Sequence, residues 1–278
     1  MPHLYILTGR PYSGKTTLAR WLCDRLPQPV AGLRTLCTGR CAGGPLFSLQ
    51  DLTTGTMVPI SRAEDGQVRG IPEAFAGFGT EVLRAAAQSD APTVLVDEVG
   101  RFERDCTGYL AALDALLDGP QTVVLTVKGE DLPHLNALRA RTPAVQIDLD
   151  AEPPAQVRAR LTPDLSAPLH AAAGVRLFRE EKCFGPGPLE LLELVGRTGS
   201  LHKAASVMGM AYSKAWKMVG ELERQWGFAM VERHGGGAGG GGSLLTPRAW
   251  ELLRRYRALQ WESEQAVGQS FGRWFADF

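Results

Sequence analysis

The chain has 278 residues, of which 44% are hydrophobic and 22% are charged, and its formal net charge is zero. This length allows two domains of ordinary size, and the composition is that of a soluble globular protein. The sequence has no apolar run of the roughly 18 residues that a membrane span needs and no N-terminal signal pattern. Five cysteines, an odd number, form no evident disulfide framework. We therefore predict a cytoplasmic protein with reduced thiols and no membrane partner.

Charge is distributed unevenly along the chain. Residues 1–174 carry 16 Lys and Arg against 19 Asp and Glu, a net charge of −3, whereas residues 175–278 carry 14 against 11, a net charge of +3. Residues 200–260 carry nine basic and four acidic residues. Such a basic patch is common in nucleic-acid-binding proteins, although solvated surfaces carry similar excesses. Charge thus indicates that the two halves have different partners.

The first chemically informative stretch, residues 9–16, reads Gly-Arg-Pro-Tyr-Ser-Gly-Lys-Thr and fits G-x-x-x-x-G-K-[ST]. It lies between a predicted strand (3–8) and a predicted helix (16–26), as a phosphate-binding P-loop requires. Backbone N–H groups of such a loop surround a phosphate, Lys15 reaches the β- and γ-phosphates, and the Thr16 hydroxyl ligates Mg²⁺. The residues predicted to bind ATP or another nucleoside triphosphate are Gly9, Arg10, Pro11, Tyr12, Ser13, Gly14, Lys15, Thr16 and Thr17.

Farther along, residues 93–98 read Thr-Val-Leu-Val-Asp-Glu, an apolar run that ends in two carboxylates. This pattern is typical of a strand buried on both faces whose C-terminal end meets solvent. After a P-loop, a carboxylate at this position holds Mg²⁺, which favours Asp97 as a metal ligand beside Thr16. The adjacent Glu98 can polarise the attacking water. A plain strand end with a capping Asp and a solvated Glu is the weaker alternative, so the predicted catalytic residues are Lys15, Asp97 and Glu98.

The other elements of the first half alternate in type. The pattern predicts a strand at 30–36, a hairpin of 45–51 and 57–60, a helix at 71–88, a helix at 107–117, a strand at 121–127, a helix at 132–140, a strand at 145–149 and a helix at 155–161. This alternation predicts a mostly parallel sheet with the nucleotide at its C-terminal edge. Thr126 and Lys128 are candidate γ-phosphate contacts, or ordinary polar residues at a strand end. Arg10 and Arg101 are candidate stabilisers of the transition state, a role that an arginine in trans also fills.

Two stretches carry a family resemblance. Residues 30–35 read Val-Ala-Gly-Leu-Arg-Thr, and residues 96–103 read Val-Asp-Glu-Val-Gly-Arg-Phe-Glu, with Gly39-Arg40, Phe47 and the hairpin between them. Over roughly residues 3–150 the chain resembles the THEP-type nucleoside triphosphatases. The resemblance implies a RecA-like core and slow Mg²⁺-dependent hydrolysis of several nucleoside triphosphates. Leu33 and Phe102 replace the family's aromatic and Met, which bears more on base preference than on hydrolysis.

The second half shows helix-turn-helix spacing. Predicted helices at 189–195, 201–208 and 212–226 are joined by an N-cap at Ser200 and a tight turn at 209–211. The core face of the last helix carries Ala215, Val219 and Leu222. Its opposite face presents Ser213, Lys214 and Lys217 to a major groove. A helical hairpin with solvated lysines has the same pattern.

Two predicted strands, 228–232 and 243–246, flank a polyglycine segment at 235–242. The matching residues are Gly199-Ser200, Ala204-Ala205, Tyr212, Ala215-Trp216, Val231-Glu232-Arg233 and Leu245-Thr246. On these residues the stretch 185–262 resembles the winged DNA-binding domain of the molybdate-responsive regulator ModE, among the LysR-type winged helices. The resemblance implies double-stranded DNA as a partner, contacts from Ser213, Lys214, Lys217 and Arg233, and a homodimer formed through the helix at 247–266. In ModE the DNA-binding domain precedes the molybdate-binding modules, so direct molybdate sensing is not predicted here.

Together these observations predict an α/β P-loop NTPase with a RecA-like, mostly parallel sheet, followed by a smaller winged helix-turn-helix domain. The predicted limits are 1–162 for the NTPase, 163–174 for a linker, 175–265 for the winged domain with its dimerisation helix, and 266–278 for an apolar docking tail. The tail carries Phe271, Trp274, Phe275 and Phe278 at helical spacing. The predicted function is that of a nucleotide-responsive transcription regulator, with molybdenum metabolism as its suggested setting. The alternative is an NTPase or kinase that uses the winged helix for dimerisation or protein docking.

Overall fold

The structure, a computed structural model, describes residues 3–165, 168–234 and 242–275. This described chain divides into two compact units. The first unit contains Met1–Leu36, Ser48–Arg62 and Arg69–Leu169, and the second contains Cys37–Phe47, Ala63–Val68 and His170–Phe278. The last boundary falls within the predicted linker, whereas two short early segments group with the second unit.

In the first half of the chain, one strand precedes the P-loop sequence and the others follow it. They are β1 (Leu4–Thr8), β2 (Val30–Cys41), β3 (Gly44–Asp51), β4 (Met57–Pro59), β5 (Ser61–Glu64), β6 (Gln67–Gly70), β7 (Thr93–Val99), β8 (Thr122–Val127) and β9 (Val145–Asp148). Within the described chain, seven of them form one sheet in the order β4-β3-β2-β7-β8-β1-β9. Neighbours from β2 to β9 are parallel, and β3 and β4 are antiparallel. The predicted α/β fold with a mostly parallel sheet is confirmed.

The strand order decides which chain segments meet at the site. Strand β8 lies between β1, which leads into the P-loop, and β7, which ends in the two carboxylates. Both β7 and β8 are almost continuously apolar and buried, as expected of strands covered on both faces. The C-terminal ends of parallel strands meet at one edge, so the residues after β8 lie between the P-loop and the carboxylates.

The helices of the first unit are α1 (Lys15–Cys23), α2 (Pro72–Ala74), α3 (Thr80–Gln88), α4 (Thr107–Leu117), α5 (Pro133–Arg139) and α6 (Pro154–Leu161). Apolar residues of α1 at helical spacing, including Leu18 and Leu22, pack in one core with Tyr5 and Leu7 of β1 and with Val157 of α6. Burial of this face fixes α1 behind the P-loop and so holds the loop in place.

Two features of the first half differ from the sequence prediction. The predicted helix at 71–88 is divided into α2 and α3 by a π-helical turn, Phe75–Gly79. The hairpin of β5 and β6 was not predicted, although Asp65 and Gly66 both have positive φ, 51° and 73°. Asp-Gly is a favoured pair for a tight hairpin turn, so the sequence contained a signal for this hairpin.

The second unit contains a hairpin, the helix-turn-helix and the wing strands. Its elements are β10 (Leu177–Phe178), β11 (Lys182–Phe184), α7 (Pro186–Thr198), α8 (Leu201–Val207), α9 (Tyr212–Trp226), β12 (Val231–His234), β13 (Gly242–Leu245) and α10 (Pro247–Trp274). Strands β10 and β11 pair as an antiparallel hairpin ahead of the helix-turn-helix. The two predicted wing strands are present as β12 and β13, and they pair antiparallel.

Side-chain caps and close contacts hold these helices together. Ser200 accepts a hydrogen bond from Lys203 N–H at the start of α8, the predicted N-cap, and Thr246 caps α10 in the same way through Ala249 N–H. A Cβ on Gly196 would lie 2.4 Å from the ring of Trp250, so α7 and α10 approach closely at this glycine. Helix α10 continues to Trp274, so the predicted tail begins within it.

Two parts of the sequence prediction lie outside the described residues: the polyglycine segment 235–241, and Phe278 at the end of the apolar tail. Among the described helices, none has the length and hydropathy to cross a membrane.

Candidate functional site

The P-loop turns from β1 into α1 through two glycines with left-handed backbone. Gly14, the N-cap of α1, has φ 97°, and Gly9 has φ 136°. A Cβ on Gly9 would lie 2.8 Å from Ser13 Oγ. A side chain at either position is therefore disfavoured, which explains why the motif requires glycine here.

The interior of the loop contains a cation and an unsatisfied hydroxyl. Lys15 is 7% exposed, and its Nζ donates to the carbonyls of Gly9 (2.8 Å) and Arg10 (3.1 Å). Ser13 Oγ is buried without a hydrogen-bond partner among the described residues. An anion bound in the loop would give this hydroxyl an acceptor and would lie beside the Lys15 ammonium.

Asp97 lies at the C-terminal end of β7 and is almost fully buried. Its Oδ1 accepts hydrogen bonds from Thr126 Oγ1 at 2.7 Å and from Thr16 Oγ1 at 3.2 Å. The structure thus brings together the P-loop hydroxyl and the strand-end carboxylate that the sequence predicted as a metal pair. These hard oxygen donors are of the type that Mg²⁺ prefers, so the residues present fit this ion.

Glu98, the next residue, lies between two ammonium groups. Its Oε1 is 3.6 Å from Lys15 Nζ, and its Oε2 is 3.8 Å from Lys128 Nζ. Its backbone N–H donates to Thr35 Oγ1 on β2 at 3.3 Å. The side chain is 24% exposed, so its carboxylate is partly accessible to water.

The remaining predicted nucleotide-site residues are more exposed. Arg10 pairs with Asp150, its Nε 3.5 Å from the carboxylate, and its side chain is 82% exposed. The guanidinium of Arg101 lies over the ring of Phe102 rather than beside Glu98. Pro11, Tyr12 and Thr17 are also exposed. Neither arginine is brought to the carboxylates, and their assignment as charge stabilisers stays a prediction.

The structure adds groups that the sequence prediction did not place in the site. Glu103 is 3% exposed and its carboxylate accepts a hydrogen bond from Gly100 N–H at 3.1 Å. Burial raises the pKa of Glu103 to about 7. The other side of the same glycine contacts His134, whose Nε2 is 2.8 Å from Gly100 O. A carboxylate three residues after a turn glycine was a usable signal for Glu103, whereas nothing in the sequence singled out His134.

Replacing Glu103 by Gln is expected to remove a pH-dependent loss of stability. The folded-state pKa of about 7 lies above the ordinary glutamate value of 4.5, so ionisation of Glu103 costs stability as pH rises through this window. The variant should match wild type below pH 4.5 and exceed it by up to about 3 kcal/mol above pH 7, at roughly 1.4 kcal/mol per pKa unit. Thermal unfolding of both proteins from pH 5 to pH 8 measures the difference, and a gap independent of pH would contradict it.

Helix α9 carries three of the residues that the sequence predicts to contact DNA. Ser213, Lys214 and Lys217 are exposed, while Ala215 and Val219 are buried in the core of the unit. The predicted division of this helix into a core face and an open face is thus present. Arg233 pairs through its backbone with Ser243 on the neighbouring wing strand, and its side chain is outside the described atoms.

Aromatic side chains lie close together at the start of α9. The ring of Tyr212, 46% exposed at the start of α9, is 5.8 Å from the His202 ring and 6.1 Å from the Trp216 ring. Contacts from Glu223 position the wing, because its Oε1 accepts from the N–H groups of Met230 and Val231 at 2.8 and 3.3 Å.

Both units match known families. A family model described as NTPase matches residues 4–159, more than half of the chain. The chain belongs to this NTPase family. A model described as bacterial regulatory helix-turn-helix protein, lysR family, matches residues 187–249. The protein therefore joins an NTPase domain to a ModE-like helix-turn-helix DNA-binding domain, and both predicted resemblances are confirmed.

Curated relatives share part of their length with this chain. The molybdenum transport protein ModE of Herbaspirillum seropedicae is 43% identical over 70 residues, which cover 25% of this chain and 26% of that protein. The DNA-binding transcriptional dual regulator ModE of Escherichia coli is 33% identical over 81 residues, covering 29% and 31%. The chain thus spans between a quarter and a third of the length of these relatives.

Similar solved structures include THEP1 from the hyperthermophile Aquifex aeolicus, at 24% identity and a TM-score of 0.43, covering 52% of this chain and 88% of that one. A human cancer-related nucleoside triphosphatase is 23% identical with a TM-score of 0.44, covering 58% and 94%.

Proposed function

We propose that this protein is a Mg²⁺-dependent nucleoside triphosphatase whose nucleotide state controls the binding of its second unit to double-stranded DNA. The observation that carries the proposal is the convergence of Lys15, Thr16, Asp97 and Glu98 in one unit. The chain that builds this site also carries an exposed recognition helix, α9, in the other unit.

Each of these site residues has a separate role in hydrolysis. Thr16 and Asp97 would hold Mg²⁺, and the ion would supply positive charge to offset the negative charge of the phosphates. Lys15 donates to the same phosphates, and in doing so leaves the carboxylate of Glu98. Glu98 then accepts a proton from the attacking water as general base. Slow turnover suits a regulator, because each nucleotide state then lasts long enough to change DNA binding.

The second unit supplies the DNA-binding function. Lys214 and Lys217 contact phosphates, Ser213 reaches base edges, and Arg233 contacts the backbone beside the wing. Relatives named as molybdenum transport and regulatory proteins support genes of molybdenum metabolism as the regulated set.

Helix α10 supports a homodimer. Its buried residues, from Ala249 to Arg257, all lie in its first half. From residue 258 to residue 275 the structure describes no buried side chain, although this stretch includes Leu259, Phe271 and Trp274. A helix in a folded protein gains most of its stability from the packing of its apolar face. A second copy of α10 is the partner that we propose for this apolar stretch.

Nucleotide is expected to change DNA affinity by about 5- to 150-fold, the range of typical allosteric coupling. The DNA is a fragment selected from genomic DNA by the protein itself, with and without nucleotide and with and without molybdate. Its affinity is then measured at one fixed salt concentration with no nucleotide, with ADP and with a non-hydrolysable ATP analogue. Equal affinity in all three states would overturn the coupling.

The double variant Lys214→Ala, Lys217→Ala tests whether these two lysines contact DNA. It should weaken binding to all sequences and reduce the slope of log affinity against log salt by about 2, one for each lost phosphate contact. If DNA binding is undetectable at low salt, or indifferent to both substitutions, the winged helix serves dimerisation or protein docking in an NTPase instead.

A further inference from the structure

Lys128 is placed at the nucleotide site by the strand order of the sheet. It follows β8, the strand between the P-loop strand and the strand that carries Glu98. Its Nζ is 3.8 Å from Glu98 Oε2, on the opposite oxygen from Lys15. Lys128 is 30% exposed, so its ammonium is accessible to a ligand while it remains near the carboxylate.

The backbone beneath Lys128 is held at several points. Gly100 N–H donates to Glu103 Oε2, and Gly100 O accepts from His134 Nε2, which carries the proton because a carbonyl can only accept. Lys128 N–H in turn donates to Val99 O at 2.9 Å. The N–H and C=O groups of Gly100 are therefore both held by hydrogen bonds next to the lysine.

The side chain of Lys128 runs directly over Gly100. A Cβ on this glycine would lie 2.9 Å from Lys128 Cδ, 3.3 Å from Cε and 3.4 Å from Nζ. Only a residue without a side chain leaves room for this path. Any larger residue would push the flexible end of the lysine away while leaving the backbone in place.

We propose that Lys128 binds the terminal phosphate of the nucleotide, and that Gly100, fixed by Glu103 and His134, is the positioning residue that directs it there. The proposal rests on the proposed function, since it names the group that recognises the phosphate to be removed. Without ligand, the carboxylate of Glu98 pairs with both lysines. With a triphosphate, Lys15 and Lys128 turn to phosphate oxygens, and Glu98 becomes available to water.

Lys128→Met is expected to lower affinity for a non-hydrolysable ATP analogue by about 10- to 100-fold, in line with one hydrogen bond between charged groups, and to leave ADP affinity within about twofold. Isothermal titration of the full chain with each nucleotide and Mg²⁺ measures both constants. Lys182→Met, an exposed lysine of the second unit, is the matched control and should behave as wild type. An unchanged preference for triphosphate in Lys128→Met would overturn the proposal.

The positioning role is tested by Gly100→Ala alone and combined with Lys128→Met. Gly100→Ala should reduce the triphosphate preference about tenfold in the wild-type background and have no further effect once Lys128 is absent. Glu103→Gln retains an acceptor for Gly100 N–H and should keep the preference, whereas Glu103→Ala should reduce it. Equal effects of Gly100→Ala in both backgrounds would show a merely structural role.

These binding measurements distinguish failure of the proposed hydrolysis from failure of the proposed role of Lys128. A protein that prefers triphosphate through Lys128 but releases no phosphate would contradict the proposed hydrolysis and leave the role of Lys128 supported. A protein that hydrolyses ATP with unchanged kcat and binding in Lys128→Met would support hydrolysis and refute the role of Lys128.

Discussion

Replacing Glu98 by Gln is expected to lower kcat for nucleoside triphosphate hydrolysis by about 10² to 10⁴, the contribution of a positioned general base. The glutamine is nearly isosteric but cannot accept a proton at neutral pH. Its neutral side chain also no longer pairs with Lys15 and Lys128, whose ammonium groups lie 3.6 and 3.8 Å from the carboxylate. Nucleotide affinity should therefore be retained or increased. Steady-state phosphate release and equilibrium nucleotide binding measure the two effects separately.

The control for Glu98→Gln is Glu130→Gln. Glu130 lies just after β8, at the same edge of the sheet. Among the described contacts, none joins Glu130 to Asp97 or Lys15. Glu130→Gln should turn over at nearly the wild-type rate. Turnover equal to wild type in Glu98→Gln would remove Glu98 as the base. Loss of binding together with turnover would instead assign it to the binding of Mg²⁺.

Replacing Lys15 by Ala is expected to reduce affinity for triphosphate by about 100-fold or more and to abolish measurable hydrolysis. The substitution removes the cation that we propose to contact the β- and γ-phosphates and also the donor to the carbonyls of Gly9 and Arg10. Each charged hydrogen bond contributes about 1.5–3 kcal/mol, and about 1.4 kcal/mol changes affinity tenfold. Fluorescence titration with a labelled nucleotide measures the affinity.

Arg20→Ala, on the exposed face of α1, is the matched control for Lys15→Ala because it removes a cation of the same helix outside the loop. It should bind nucleotide as wild type does. Thermal unfolding of both variants distinguishes loss of the ligand contact from loss of the fold. Wild-type affinity in a folded Lys15→Ala protein would contradict the assignment of this loop.

Local patterns were enough to predict much of this molecule. The glycines and Lys15 of the P-loop are neighbours in sequence, so their geometry follows from a strand, a turn and a helix in order. The same holds for the recognition helix, because Ala215 and Val219 alternate with Lys214 and Lys217 at helical spacing. The hairpin at Asp65-Gly66 was missed despite its turn signal, since short polar strands give little periodicity.

Groups from separate elements could not be assigned in this way. Thr126 was one of two candidates at a strand end until the strand order placed β8 beside β7. Thr35 and His134 contact the site through long-range hydrogen bonds whose partners lie 63 and 34 residues away. No spacing rule relates such distant residues, because only the packed sheet sets which ends are neighbours.

The sequence by itself therefore determined the P-loop, the strand that ends in Asp97 and Glu98, the helix-turn-helix and the order of the two modules. Each of these depends on residues that are close along the chain. Only the tertiary structure decided that Glu98 lies between Lys15 and Lys128, and that Gly100 is held by Glu103 and His134. These contacts arise from the parallel strand order, which brings distant chain segments to one edge of the sheet.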